Sequence, residues 1–282
     1  MIRLLQEFIN RIAQKDGKQV SEVDPKEILA DLQPQIDALA KTYIHIRTSK
    51  TEPLTFINSK FGGFPYFPAN QNFPTSKEGK PLRLLAQLNF AEMPNLSPYP
   101  TEGLLQFYVT GEDNLHGLNL RQPSKQEDWR VLFFDTLDFE ARNDFDELYE
   151  SDWKYSPLMV SPLSLEFELK QDYPSYPSLE YHQLIQPLFQ KVVKGDFADL
   201  LEDLYLDKEF GIGHKVGGFP YFTQNEVREN QPEFSDYQLL FQLDSDADKI
   251  MWGDVGVANF FIRKEDLVKR DFDRVLYNWD CH

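Results

Sequence analysis

Cysteine is almost missing from this chain, since Cys281 is the only one among 282 residues. A lone cysteine excludes an intramolecular disulfide and a cysteine-rich zinc module. Long apolar runs are also missing, because no stretch approaches the roughly 18 residues that a membrane-spanning helix needs. The first fifteen residues interrupt their apolar side chains with Gln6, Glu7, Asn10 and Arg11, so no signal-peptide core is present. These absences predict a soluble, cytoplasmic protein.

Positive charge is scarce as well. The chain has 29 Lys and Arg residues against 46 Asp and Glu residues, which gives a formal net charge of −17. That charge disfavours direct binding to nucleic acid or to an anionic membrane, because both require positive potential on the protein. It permits attraction of a basic protein partner. Residues 138–150 and 199–209 are the most acidic segments, and simple solubility is the alternative explanation for them.

Internal repetition is the most informative feature that the sequence does contain. Four blocks recur in one order, the first two separated by 155 residues, the third by 153 and the fourth by 144. A duplication explains this order better than chance does. The block pairs are KFGGFPYF (60–67) and KVGGFPYF (215–222), LLAQL (84–88) and LLFQL (239–243), GLLQFYV (103–109) and GVANFFI (256–262), and RVLFFD (130–135) and RVLYNWD (274–280).

The repeated blocks predict short β-strands, because they are aromatic or β-branched runs bounded by Pro and Gly. Residues 163–169 alternate apolar and polar side chains, which is typical of a strand with one wet face. No helical pattern separates consecutive strands within a half, and this favours antiparallel pairing. The predicted strands are 84–88, 104–109, 131–134, 163–169, 239–243, 257–262 and 275–277.

Helical patterns lie mostly outside the blocks. An apolar stripe covers residues 4–12, and Asp24 and Pro25 are typical of a helix start, with Pro34 kinking or splitting that helix. A third helical region is predicted over 181–206. The predicted fold class is therefore α+β, with tandem-duplicated units of antiparallel sheet and packed helices. The predicted organisation is a helical segment (1–50), a first sheet repeat (51–155), a strand and helical connection (156–213) and a second sheet repeat (214–282), all within one fused domain or in separate domains.

At these blocks the chain resembles the YwqG family, a group of bacterial proteins built around a domain of unknown function. The resemblance extends from about Ser59 to the C-terminus, where residues 278–281 read NWDC. It implies a duplicated α+β fold. It implies no reaction and no catalytic residues.

The two Gly-Gly-Phe-Pro-Tyr-Phe elements have two interpretations. Paired glycines permit a tight turn with positive φ, and the following proline holds the phenylalanine before it in an extended conformation. A turn of this kind could present backbone N–H groups to an anion, with Lys60 or Lys215 nearby. The alternative, which we favour, is that each element plugs a hydrophobic core with its aromatic side chains.

An acidic loop follows the strand predicted at 239–243. Asp244, Asp246 and Asp248 alternate, and Asp254 lies six residues further on. Alternate carboxylates at this spacing can converge on a divalent cation such as Ca²⁺ or Mg²⁺, although the sixth and twelfth positions lack the Gly and Glu of an EF-hand. The alternative is a solvated connection whose aspartates cap turns. The first half has Asn89 in the equivalent place, so a metal site would be asymmetric.

Signals for nucleophilic catalysis are weak. The five histidines are scattered without a paired metal-ligand spacing, and neither a nucleophile elbow nor a P-loop occurs. His214 is interpreted as a turn residue, because its counterpart in the first half is Ser59. Adjacent Cys281 and His282 rarely hold a thiol–imidazole geometry, so the sequence predicts no catalytic residue.

The leading functional hypothesis from the sequence is a non-enzymatic binding protein with an acidic surface that sequesters a basic partner, for instance a toxin. The alternative is a metal-dependent enzyme, or a metal-stabilised ligand site, in the loop 244–254. A third hypothesis places a small ligand in a cleft between the duplicated halves, with Tyr66, Tyr221 and Trp252 on its walls. No resident cofactor is predicted, apart from that divalent cation.

Overall fold

Ten antiparallel strands form one sheet in the part of the chain that the computed structural model describes, which is residues 24–49, 54–137, 140–149, 153–192, 196–229 and 231–282. The sequence-predicted strands are all present, with ends that differ by a few residues. In chain order the strands are β1 (Lys41–Ser49), β2 (Lys60–Phe61), β3 (Arg83–Asn89), β4 (Leu104–Val109), β5 (Trp129–Phe134), β6 (Leu163–Asp172), β7 (His214–Gly217), β8 (Tyr237–Asp244), β9 (Val257–Arg263) and β10 (Leu276–Asp280).

Five α-helices accompany this sheet among the described residues. The Asp24 carboxylate accepts a hydrogen bond from the Lys26 N–H and caps the first of them, which continues through Pro34 without ending there. None of the described helices is long and apolar enough to cross a membrane. The helices are α1 (Pro25–Asp37), α2 (Phe145–Leu148), α3 (Gln186–Val192, which follows a π-helical turn at Tyr181–Ile185), α4 (Asp196–Leu206) and α5 (Lys264–Lys269).

One sequence expectation changes at the N-terminal end, and another is not tested there. The helix predicted over residues 4–12 lies outside the described residues. Residues 41–49, assigned from the sequence to a helical segment, form strand β1 instead. Tertiary pairing explains this difference, because β1 lies between β6 and β7 and hydrogen-bonds to both of them.

The strand order β10-β9-β8-β7-β1-β6-β2-β3-β4-β5 divides the sheet at its centre. We call β6 with β2–β5 the first half-sheet, and β1 with β7–β10 the second half-sheet. The half-sheets share the same registers: Lys60 faces Gln87 as Lys215 faces Gln242, and each has an irregularity at the same point of β3 or β8. The long central strands β1 and β6 thus join two similarly paired sets of strands.

The fourth sequence block is the one place where pairing and sequence matching disagree. Phe107 on β4 faces Val131, whereas the corresponding Phe260 on β9 faces Tyr277. Val131 therefore corresponds in position to Tyr277, two residues beyond its sequence match at Val275. A shift of two residues leaves every side chain on the same face of the sheet, so the apolar pattern alone does not detect it.

The largest hydrophobic cluster contains residues of both half-sheets. Phe107 lies 4.6 Å from Phe241 and 4.7 Å from Phe260 between ring centroids, and Trp129 lies 5.4 Å from Tyr277. The sheet therefore curls until the inner faces of its two halves pack against each other. Smaller clusters cover the outer faces, one with Phe67, Phe73 and Phe145 and the other with Phe222, Phe234 and Phe261.

Candidate functional site

Both Gly-Gly-Phe-Pro-Tyr-Phe elements are fastened to their half-sheet in the same way. The Gln87 side-chain oxygen accepts a hydrogen bond from the Tyr66 N–H, and Gln242 does the same for Tyr221. Gly62 has a φ of +67°, and a Cβ there would overlap the Ser161 hydroxyl. These contacts are those of a tight turn built into the core, which supports the packing interpretation.

The lysines of these elements face inward rather than toward a bound anion. Lys60 Nζ donates to the Thr55 and Phe56 carbonyls at 3.2 and 3.1 Å, and burial lowers the pKa of this lysine to about 8. Lys215 Nζ donates to the Asp172 carboxylate at 2.8 Å. Each ammonium group therefore already has partners inside the protein.

The aspartates of the loop 244–254 have separate partners within the protein. Asp244 accepts hydrogen bonds from the Gly213 and Ser245 N–H groups, and burial raises its pKa. Asp246 accepts from Thr48 Oγ1 at 3.0 Å and from Lys249 Nζ at 3.1 Å. Burial by itself would raise the pKa of Asp246, but these two hydrogen bonds, together with the positive charge of Lys249, hold that pKa below its usual value.

The two remaining aspartates of the metal hypothesis, Asp248 and Asp254, are exposed. The main chain of Asp246 pairs with Ile250 in both directions, so the alternating carboxylates lie on a tight turn. Within the part of the chain that the structure describes, no group of three or more His, Cys, Asp or Glu side chains is arranged to hold a metal ion. The spacing of the aspartates is thus the remaining basis of the metal hypothesis.

His214 caps the end of β8. Its Nδ1 accepts a hydrogen bond from the Asp244 N–H at 3.0 Å, as the Ser59 hydroxyl accepts one from the Asn89 N–H in the first half-sheet. Burial lowers the pKa of His214 to about 4, so its ring is neutral at pH 7. The sequence match identifies Ser59 as the counterpart of His214. It does not predict the hydrogen bond to the Asp244 N–H, because that prediction requires knowing that β7 pairs with β8.

The three aromatic residues of the cleft hypothesis do not share a cleft. Tyr66 and Trp252 are completely buried, and Tyr221 is half-buried. Trp252 packs against His116 and Trp279 in the interior. The space between the half-sheets is filled by their joint core, and Tyr66 borders a surface groove.

That groove has a volume of about 680 Å³ and lies between residues 66–75 and residues 130–136 at the end of β5. We call it the β5 groove. Leu132 and Phe134, both half-buried, are among its apolar lining residues. Exposed side-chain amides of Asn70, Gln71 and Asn72 form the opposite side. The groove therefore combines an apolar surface with groups that can form hydrogen bonds.

The two half-sheets differ at the position of this groove. By strand register, Phe134 on β5 corresponds to Asp280 on β10. The Asp280 carboxylate accepts hydrogen bonds from the N–H groups of Thr223, Gln224 and Asn225, and so holds that loop onto β10. Phe134 has no side-chain acceptor and packs instead edge-on against Tyr66. The chain after Tyr66 pairs instead with residues 140–142, through hydrogen bonds from the Ala69 N–H to the Glu140 carbonyl and from the Arg142 N–H to the Phe67 carbonyl.

Acidic side chains border the groove. Asp135 lines it directly, and Asp144, Asp146 and Glu147 are exposed around α2. The buried ring of Phe145 packs with Phe67 and Phe73 of the groove wall, which places α2 beside it. We call these four carboxylates the acidic rim. Two cations accompany them: Arg130 lines the groove, and Arg142 lies 3.3 Å from Asp144.

The fold and the groove define a mixed helix-and-strand protein with one ten-stranded antiparallel sheet and an acidic-rimmed groove at its β5 end. The chain belongs to the family described as domain of unknown function DUF1963, whose model matches residues 59–281. A comparison with curated proteins finds no match. The family segment begins just before β2, so α1 and the central strand β1 precede it.

Proposed function

We propose that this protein is a non-enzymatic binding protein that receives a basic segment of a partner protein in the β5 groove. The observation that carries the proposal is the proximity of a groove of about 680 Å³, partly lined by apolar side chains, to the four carboxylates of the acidic rim, of which Asp135 lines the groove itself. An inhibitor of a basic toxin is one concrete form of this function. The partner's cationic segment would then be held, and the toxin kept from its target.

The negative charge of the protein supports a basic partner both at long range and at contact. The net charge of −17 attracts a cationic protein over distances comparable to the screening length, about 8 Å at physiological ionic strength. At contact, the acidic rim opposes lysine or arginine side chains, with Asp146 and Glu147 exposed on the first turn of α2. Such complementarity contributes mainly to the association rate and to specificity.

The apolar lining supports a binding role rather than a purely electrostatic encounter. Leu132 and Phe134 are half-exposed beside the exposed amides of Asn70 and Asn72. Specific interfaces pair a small apolar centre with a polar border in this manner. Burying aliphatic side chains over Leu132 and Phe134 would stabilise the complex by about 25 cal/mol for each Å² removed from water.

Neutralising the rim should weaken binding of an eight-residue probe peptide in which lysine alternates with valine. In the triple variant Asp135→Asn, Asp146→Asn, Glu147→Gln, we expect about tenfold weaker binding by calorimetry, since exposed pairs contribute about 0.5 kcal/mol each. The dependence of affinity on salt should also become shallower.

The matched control is the triple variant Asp199→Asn, Asp203→Asn, Asp207→Asn, which removes the same charge on and just after α4. We expect this variant to bind the probe within twofold of the unmodified protein. Equal weakening in both variants would contradict a local rim, and a probe that does not bind the unmodified protein would contradict the proposed function itself.

We also infer that the two half-sheets arose by tandem duplication and that the chain is related to the YwqG proteins. The four repeated blocks, the shared registers and the equivalent roles of Gln87 and Gln242 support the duplication. The replacement of an Asp280-like acceptor by Phe134 is then a divergence confined to one half. A binding groove on that half alone is consistent with such specialisation.

A further inference from the structure

We infer that the partner's segment binds in the β5 groove as an added β-strand, paired with the outer edge of β5. This inference rests on the proposed function and gives it a binding mode. Among the described residues β5 is the last strand of the sheet, and β4 occupies its inner edge. An extended chain that pairs with such an edge gains main-chain hydrogen bonds, while its alternate side chains enter pockets.

The direction of the main-chain groups of β5 follows from one hydrogen bond. The Val131 N–H donates to the Gln126 side-chain oxygen at 2.7 Å, so it points away from β4. In an antiparallel pair this direction alternates from residue to residue. The main-chain groups of Phe133 therefore also point to the outer edge, and β5 ends one residue later at Phe134.

Phe133 shows which part of the strand the groove exposes. Its ring turns inward, with centroids 5.5 Å from Phe272 and 6.3 Å from Phe90, yet Phe133 lines the groove. The neighbouring Leu132 and Phe134 present their side chains to the outer-face cluster. The groove thus reaches the main chain of Phe133 between two apolar side chains, which is the surface that an added strand requires.

Gln126 sets where the added strand begins. Its side-chain amide accepts from the Val131 N–H and donates to the Phe272 carbonyl at 2.7 Å, as a peptide group of a neighbouring strand would. At the other end of the sheet, the Tyr277 N–H donates to the Pro123 carbonyl. Within the described part of the chain, residues 110–128 therefore cover part of both terminal strands, and no main-chain partner occupies the outer edge of β5 from Phe133 onward.

This geometry also specifies the chemistry of the occupant. Side chains of an added strand alternate between the two faces of the sheet. Those on the outer face meet Leu132 and Phe134 and are best apolar, whereas the acidic rim and the net charge of −17 favour lysine or arginine at the other positions. The expected occupant is a short extended segment in which basic and aliphatic residues alternate.

Two N-methylated forms of the lysine–valine probe test the binding mode. One carries N-methyl groups on its valines and the other on its lysines, so that each blocks the N–H groups on one edge of the extended peptide. We expect one form to bind about a hundredfold more weakly than the unmethylated probe, because about two main-chain hydrogen bonds and the close approach of the strands are lost. The other form should bind within threefold.

The outcomes separate this inference from the function on which it rests. Equal effects of the two methylation patterns, whether large or absent, would overturn strand addition while the rim variants still report on the proposed function. Failure of the unmethylated probe to bind would overturn both. A strong asymmetry between the two patterns, together with the expected loss in the rim variant, would support both.

Discussion

Replacing Arg228 with methionine should lower the free energy of unfolding by about 3–5 kcal/mol, because a buried carboxylate then loses its cation. The Arg228 guanidinium donates to both oxygens of Glu226, to Glu180 and to the Tyr237 carbonyl at 2.6 Å. The side chains of Arg228 and Glu226 are 1% and 0% exposed. Urea unfolding of the variant and the unmodified protein measures this difference.

Two further variants identify the origin of that loss. Arg263→Met removes an exposed partner of Asp236 and should cost less than about 1 kcal/mol. The double variant Arg228→Met, Glu226→Gln should recover part of the loss, since the buried negative charge is then gone. If Arg228→Met alone lowered the free energy of unfolding by less than about 1 kcal/mol, that result would contradict a stabilising role for the ion pairs of Arg228 with Glu226 and Glu180.

The second large effect concerns acid stability. Burial lowers the folded-state pKa of His214 to about 4 from an ordinary value of 6.5. Between these two pH values the unfolded chain therefore binds a proton at His214 and the folded protein does not. His214 should therefore contribute stability that is present above pH 6.5 and lost as the pH falls toward 4. The loss amounts to about 3 kcal/mol for a shift of this size.

The variant His214→Asn tests this directly, since an amide oxygen can still accept from the Asp244 N–H but does not titrate. Between pH 7 and pH 5 we expect the variant to lose about 2 kcal/mol less stability than the unmodified protein. His282→Asn, an exposed position, serves as the control and should leave the pH profile unchanged. Identical pH profiles for His214→Asn and the unmodified protein would contradict a neutral, buried His214.

Local patterns made the strands and one helix start predictable from sequence. The apolar runs at 84–88 and 239–243 identify β3 and β8 because alternation and aromatic content are local properties. The Asp24-Pro25 pair identifies the start of α1 for the same reason. Strand β1 was missed although Ile44 and Ile46 alternate with His45 and Arg47, a local pattern typical of a strand. Pairing with β6 and β7 holds these residues in the sheet.

Less of the candidate site than of the fold could be predicted from the sequence. The spacing of Asp244 and Asp246 suggested a metal site, whereas the structure gives each of them hydrogen-bond partners within the protein. Phe134 in the β5 groove occupies the position of Asp280, and the sequence match displaces that equivalence by two residues. Side-chain roles at such a site become visible only when strand register is known.

Residue-resolved amide hydrogen exchange, with and without the lysine–valine probe, tests the central claim most directly. If the probe binds in the β5 groove, the amide of Phe133 should exchange at least tenfold more slowly in its presence, while Tyr277 on the opposite terminal strand should be unaffected. Val131 should change little, because its N–H already donates to Gln126. Protection confined to α4, or no protection at Phe133 at saturating probe, would contradict a binding site at this edge of the sheet.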